Sequence, residues 1–156
     1  MATSEVTTVD AGPHRVSRRV TVHAPAAELF AMLADPHRHT EVDGSGTVRD
    51  TAVTGPDRLS RGAKFTVPMK MYGLPYKITS TVTGFEDDAL VEWQHPGKHK
   101  WRWEFADNGD GSTVVTETFD YSTSPAPKLL ELLKMPAQNA RGITRTLQGL
   151  AARYAP

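Results

Sequence analysis

Residues 20–36 read VTVHAPAAELFAMLADP, and the hydrophobic period changes inside them. Val20 and Val22 alternate with Thr21 and His23, continuing a pattern from His14 in which Val16 shares their face while Ser17 and Arg19 take the other. That is the period of a half-buried strand. Arg18 falls on the apolar face, near its open end. After Pro25, which suits a first helical turn, Leu29, Phe30 and Leu33 recur at helical spacing until Asp35-Pro36 stops the pattern. A strand therefore runs directly into a short helix.

The stretches that follow return to a period of two until about residue 123. GTVRDTAVTG (46–55) is the first. AKFTVPMKMY (63–72) alternates Phe65, Val67, Met69 and Met71, and PYKITSTVTGF (75–85) alternates Tyr76, Ile78, Ser80 and Val82. Pro68 removes a ladder donor, which places its strand at an edge or a bulge. ALVEWQH, KWRWEF and TVVTETFDYS carry Val91 and Trp93, then Trp101, Trp103 and Phe105, then Val115, Phe119 and Tyr121. Their connections, YGLP, EDD, HPGKH and DNGDGS, have hairpin length and turn chemistry. From Ala126 the period lengthens again, with Leu129, Leu130, Leu133, Ile143, Leu147, Leu150 and Tyr154 on one expected stripe of a long amphipathic helix that Pro136 kinks or splits. Strand, short helices, an antiparallel meander and a closing helix make an α+β layout with helices on one face of the sheet.

The bulk composition narrows the partners. Lys+Arg and Asp+Glu each number 18, so the formal charge is zero and offers no long-range field for nucleic acid or anionic lipid. With no cysteine there is neither disulfide nor thiolate chemistry. MATSEVTTVDAG lacks a basic start followed by an apolar run, and no apolar stretch reaches membrane-spanning length. The expectation is a soluble cytoplasmic chain, monomer or homodimer, without nucleic-acid partners or integral membrane association. Residues 1–13, with little to bury, are expected to form a disordered tail ahead of one domain spanning 14–156.

The first strand ending in Ala24-Pro25, Glu28-Leu29-Phe30, Asp35-Pro36, the late strand GSTVVTETFDYS (111–122) and the closing TLQGLAARY resemble the START, polyketide cyclase and birch-pollen-allergen superfamily. The resemblance implies the helix-grip fold: a strongly curved seven-stranded antiparallel sheet around a long C-terminal helix, with two short helices after the first strand. It also implies a cavity for an apolar or aromatic small molecule. Members bind lipids, polyketides, hormones or quinones, and only some are catalysts, so fold alone leaves function open.

Two groups of residues carry the candidate chemistry. ADPHRHTEVDGSG (34–46) concentrates His37, His39, Asp35, Glu41 and Asp43, yet the two histidines point apart on a helix and no third ligand has metal-site spacing. One reading makes Asp35 or Thr40 a helix cap and the histidines solvated; another makes His39, Asp43 and Ser45 a polar rim that selects ligand head groups. Glu117 shares parity with Val115, Phe119 and Tyr121. If that face is internal, its carboxylate is a candidate general acid or base; if a bulge reverses the parity, it pairs with Arg102 on the solvent side.

The apolar candidates fit either a solid core or a ligand wall. The wall would comprise Phe30, Phe65, Val67, Met69, Met71, Tyr76, Ile78, Trp93, Trp101, Trp103, Phe119, Tyr121, Met135, Ile143 and Leu147. HPGKHKWRW interleaves bases with aromatics but reads as a hairpin turn with solvated lysines. No nucleotide-binding, nucleophile-elbow or zinc-protease motif occurs. The leading expectation is a binding protein for a hydrophobic ligand (lipid, polyketide or quinone-like), needing no cofactor and no metal. The alternatives are a cyclase, dehydratase or hydrolase using Glu117, with His39 or Tyr76 assisting and Arg18 or Arg102 polarising a carbonyl, and a module that dimerises through a sheet edge.

Overall fold

Alternation of Val16, Val20 and Val22 against Ser17, Arg19 and Thr21 makes Arg15–Val22 a strand, and its register decides the rest of the fold. In this computed structural model, which describes residues 5–42, 53–71 and 73–156 (side chains of 70 and 71 excepted), that strand pairs antiparallel with the last one. Val16 faces Phe119, Arg18 faces Glu117 and Val20 faces Val115. The elements are β1 (Thr7–Val9), β2 (Arg15–Val22), α1 (Ala26–Ala34), a 3₁₀ helix (Pro36–Glu41), β3 (Lys64–Met71), β4 (Leu74–Glu86), β5 (Leu90–Gln94), β6 (Lys100–Asp107), β7 (Thr113–Asp120), α2 (Pro127–Leu132) and α3 (Met135–Arg153). Among the described residues the seven strands form one antiparallel sheet in the order β1-β2-β7-β6-β5-β4-β3.

One of the described strands was not among those expected. Thr7–Val9, inside the segment expected to be a disordered tail, pairs with Ser17–Arg19 and forms the sheet edge. Most of the GTVRDTAVTG stretch lies outside the described residues, and Thr54 contributes an isolated bridge to Thr66. Pro68 sits in β3, at the other edge, opposite Lys77. A register shift between Val82 and Gly84 reverses the parity of β4, so both Val82 and Phe85 contribute to the core.

α1 presents Leu29, Phe30, Met32 and Leu33 to the core, each at most 1% exposed. Burial of each such side chain stabilises by about 1.5–3 kcal/mol. Asp35 ends the helix and starts the 3₁₀ turn by accepting the His37 amide on its carboxylate at 2.9 Å. α3 packs on β2 and β7 through Ile143, Thr146, Leu147 and Leu150. Its last turn is tied down by Arg153 to Glu41 at 3.1 Å and by the Tyr154 hydroxyl over the Met32 sulfur at 3.9 Å.

The closing helix is split, with the break two residues ahead of Pro136. Lys134 adopts φ 60°, ψ 24°, which rotates α2 out of phase with α3. The single stripe expected from Leu129 to Tyr154 is therefore broken: Leu129 and Leu133 are 52% and 58% exposed, while Ile143, Leu147 and Leu150 are buried.

The register also defines the two ends of the sheet. Arg15 is level with Asp120, Asp120 with Lys100, Lys100 with Gln94, and Gln94 with Thr81. Beyond that line β3 and β4 run on together to Met71 and Leu74, an overhang of roughly 20 Å. The overhanging hairpin, the β5–β6 turn and α2 thus lie at one end; α1 follows the opposite end of β2.

Candidate functional site

The core fills the α1 end, and a cavity of about 680 Å³ occupies the other, between the sheet and the first half of α3. That volume suits a small organic molecule. Alternation on the strands supplies most of its wall: Phe65, Val67 and Met69 from β3, Tyr76, Ile78 and Ser80 from β4, Trp93 from β5, Trp101 and Trp103 from β6, and Glu117 from β7. Met135, Gln138, Asn139, Gly142, Ile143 and Thr146 approach from α3, with Arg141 and Arg145 on its exposed flank. Leu33 at the end of α1, with His39 and Val42 beyond it, closes the wall. All three tryptophans of the chain border this space.

Several sequence-predicted residues lie elsewhere. Phe30 packs edge-on against Phe85 and Phe105, with centroids at 5.2 and 6.0 Å, in the filled end. Phe119 and Leu147 are fully buried in the core. Tyr121 stacks on Phe119 and donates its hydroxyl to Glu131 at 2.9 Å. None of these four borders the cavity: Phe30 lies on α1, and Phe119 stands where β2 and β7 pack on α3. The side chain of Met71, and Asp43 and Ser45 of the proposed rim, lie outside the described residues.

The histidines of the first candidate group separate. His37 is exposed and meets Asp35 at 2.8 Å. His39 is not solvated: it is 7% exposed, donates through Nε2 to the Leu33 carbonyl at 2.9 Å, and stacks on Trp93 with centroids 4.9 Å apart. Phe65 meets the same ring edge-on. The 3₁₀ turn therefore holds one imidazole in the cavity wall by packing on both sides.

Glu117 points inward. It is 7% exposed, borders the cavity, and stands between Arg18 on β2 and Trp103 on β6. Arg102 is on the opposite face, bonded to Glu92 at 3.2 Å and to Glu104 at 3.2 Å, so it can neither pair with Glu117 nor polarise a ligand in the cavity. Arg18 donates to the Ser17 carbonyl at 2.8 Å and lines a second, smaller recess beneath Pro136, Ala137 and Ala140. Lys77 is exposed opposite Pro68. Burial raises the Tyr76 phenol above its ordinary range, keeping it a neutral donor.

The structure adds a pair that the sequence reading missed. His95 and His99 flank the β5–β6 turn, His99 Nε2 lies 2.9 Å from His95 Nδ1, and both border the cavity. The turn is fixed by the His95 amide on the His99 carbonyl and the Lys98 amide on the His95 carbonyl, each 2.9 Å. Burial, reinforced by the neighbouring imidazole, holds His95 down to about 3, and burial likewise lowers His99. Both rings are thus neutral, and one N–H is shared between them. Their parity was readable: His95 alternates in phase with Val91 and Trp93, and His99 with Trp101 and Trp103. The polar face of α3 had a signal too, since Met135, Asn139, Gly142 and Thr146 recur at helical spacing.

Among the described residues no group of three His, Asp or Glu side chains is placed to hold a metal ion. No described helix is long and apolar enough to cross a membrane. What remains is a largely apolar chamber with a few inward polar groups: Glu117, Ser80, Thr146, Tyr76 and the histidines.

A curved antiparallel sheet gripping a C-terminal helix over such a chamber defines the helix-grip class of α+β proteins. The chain belongs to the polyketide cyclase/dehydrase and lipid transport family, which matches residues 13–155. It is 53% identical over 154 residues to the uncharacterized protein Rv0088 of Mycobacterium tuberculosis H37Rv, covering 96% of this chain and 68% of that one. Among solved structures, Ms6760 from Mycobacterium smegmatis is similar at TM-score 0.65 and 17% identity, over 97% of this chain and 99% of that chain. The polyketide-cyclase-like protein Cgl2372 from Corynebacterium glutamicum is similar at TM-score 0.60 and 17% identity, over 97% of this chain and 91% of that chain. At these identities the structural likeness speaks for the fold.

Proposed function

We propose that the protein binds a hydrophobic or aromatic small molecule, lipid, polyketide or quinone-like, in the cavity between the sheet and α3. The observation that carries this reading is the cavity of about 680 Å³ walled by three tryptophans, Phe65 and Met69. A curved sheet with one helix across it leaves space that core side chains do not fill, and flat aromatic walls suit a planar or flexible apolar guest. The inward polar groups would orient such a guest. The test uses the tryptophans themselves. Titration with a naphthoquinone, a long-chain fatty alcohol and a long-chain fatty acid should change intrinsic fluorescence saturably for at least one, and native mass spectrometry should give one bound molecule per chain. No response to any of them, together with a ligand-free mass on purification, would count against a binding cavity.

A second reading, a cyclase, dehydratase or hydrolase acting on the same class of molecule, is favoured specifically by Glu117. A carboxylate bordering an apolar chamber is suited to move a proton to or from a bound carbonyl compound. On a substrate identified by mass spectrometry, Glu117→Gln should lower turnover by about 10²–10⁴-fold while leaving affinity within a few-fold.

A further inference from the structure

The zero net charge of the chain conceals a segregation. The segments at the cavity end of the sheet, the β3–β4 hairpin and the stretch from α2 into α3, are basic. Residues 64–80 contain Lys64, Lys70 and Lys77 and no acid; residues 127–145 contain Lys128, Lys134, Arg141 and Arg145 against Glu131 alone. Glu131 is turned toward its own fold by the Tyr121 hydroxyl at 2.9 Å, with His14 Nδ1 at 3.8 Å.

The same end carries the exposed apolar surface. The large hydrophobic residues exposed among the described residues are Leu74 at 70%, Leu129 at 52%, Leu132 at 77% and Leu133 at 58%. Leu74 sits at the overhanging hairpin tip, two residues from Tyr76 of the cavity wall; Leu133 is two residues from Met135 of the same wall. Scattered exposed leucines need no explanation, but leucines gathered at one end of the sheet do. α2 buries none of its residues fully: Leu130 packs partly buried against the core, while Leu129, Leu132 and the following Leu133 are exposed.

We infer that this end of the molecule docks on the surface of an anionic lipid bilayer. The four leucines enter the acyl boundary, and Lys77, Lys128 and Lys134 meet the phosphate headgroups. A basic rim around apolar tips is the chemistry of an interfacial contact. A second copy of the chain fits this face less well. A two-fold dimer would set the patch against itself, bringing Lys128 and Lys134 toward their own counterparts. Docking in this way aims the cavity end of the sheet at the bilayer. The inference stands whichever molecule the cavity holds, and whether or not it holds one.

The experiment is flotation of the intact chain with vesicles of phosphatidylcholine alone and with added phosphatidylglycerol, across a salt series. The chain should float with the anionic vesicles, and the bound fraction should fall as salt rises. Leu132→Asp/Leu133→Asp, and separately Lys128→Glu/Lys134→Glu, should each weaken partitioning by about tenfold or more. All four side chains are exposed, so the melting temperature and the fluorescence response to cavity probes should stay as in the parent. Absence of the parent from the anionic vesicle fraction at low salt, or equal partitioning of parent and variants, would overturn the inference. So would a dimer in light scattering that Leu132→Asp/Leu133→Asp dissociates, which would assign the face to a second copy.

Discussion

His95 and His99 meet across the β5–β6 turn with ring nitrogens 2.9 Å apart, and both imidazoles border the cavity. Both are held below the ordinary value of 6.5, His95 to about 3. Below pH 6.5 the unfolded chain therefore takes up protons that the folded chain refuses, so stability is full above that point and declines as pH falls toward 3. Glu41 and Asp120 are lowered carboxylates whose stabilisation is lost only below their ordinary values of 4.5 and 3.8. A melting series from about pH 7 to about pH 5 thus isolates the histidine contribution. The melting temperature should fall across that window in the parent, and less so in His95→Gln/His99→Gln. Equal slopes in the two proteins would show that the pair is not held neutral.

Filled and hollow regions of the same concave face should respond oppositely to substitution. Phe30 is 1% exposed against Phe85 and Phe105, so Phe30→Ala should cost about 3–5 kcal/mol in urea denaturation. Ile78 borders the cavity and is half-buried. Ile78→Trp should lower probe affinity about tenfold, with little loss of stability. A large destabilisation from Ile78→Trp would indicate that its surroundings are already packed.

The face of the sheet away from α3 contains a buried polar pair. Ser17 Oγ and Thr118 Oγ1 are 2.8 Å apart, 1% and 6% exposed. Thr118→Val leaves the serine hydroxyl buried without that partner, at about 1–3 kcal/mol. Adding Ser17→Ala should recover part of the loss, and a double-mutant cycle by chemical denaturation measures the coupling. Strict additivity would mean that the hydroxyls act independently.

Lys134 pays a backbone cost at the α2–α3 break, with φ 60° and no side-chain cap. Lys134→Gly should raise stability by about 1 kcal/mol, because glycine adopts this conformation without the Cβ conflict. Thermal unfolding of the variant checks this, and a lower melting temperature would mean that the lysine side chain has a compensating contact.

The fold was legible because most strands keep one parity, β4 shifting only past Val82, and each turn declares itself. Val20 and Val22 leading through Pro25 into Leu29 and Phe30 already implied a strand delivering a helix to one side of a sheet. Cavity and core were not separable on that basis, since Trp93 and Phe119 share the inward parity and differ only in whether α3 lies directly above them. Glu117 was found as a candidate, but its orientation had to wait for the register against Arg18 and Trp103. His95 and His99 were passed over because HPGKH reads first as a turn, although parity with the flanking tryptophans pointed them inward. The basic cavity end was invisible to a net charge of zero, which averages Lys77 and Lys128 with acids located elsewhere.

α3 is held unevenly along its length. From Ile143 onward it buries Ile143, Thr146, Leu147 and Leu150 and is tethered at its last turn to Glu41 and Met32. From Met135 to Gly142, over the cavity, it buries nothing fully. The helix is a cantilever, rooted in the core at one end and less buried at the other. On the proposed function a guest would enter past these two less buried turns, while the rooted half keeps sheet and helix in register. Amide exchange should record this as a gradient of protection that rises steadily from Gln138 toward Leu150.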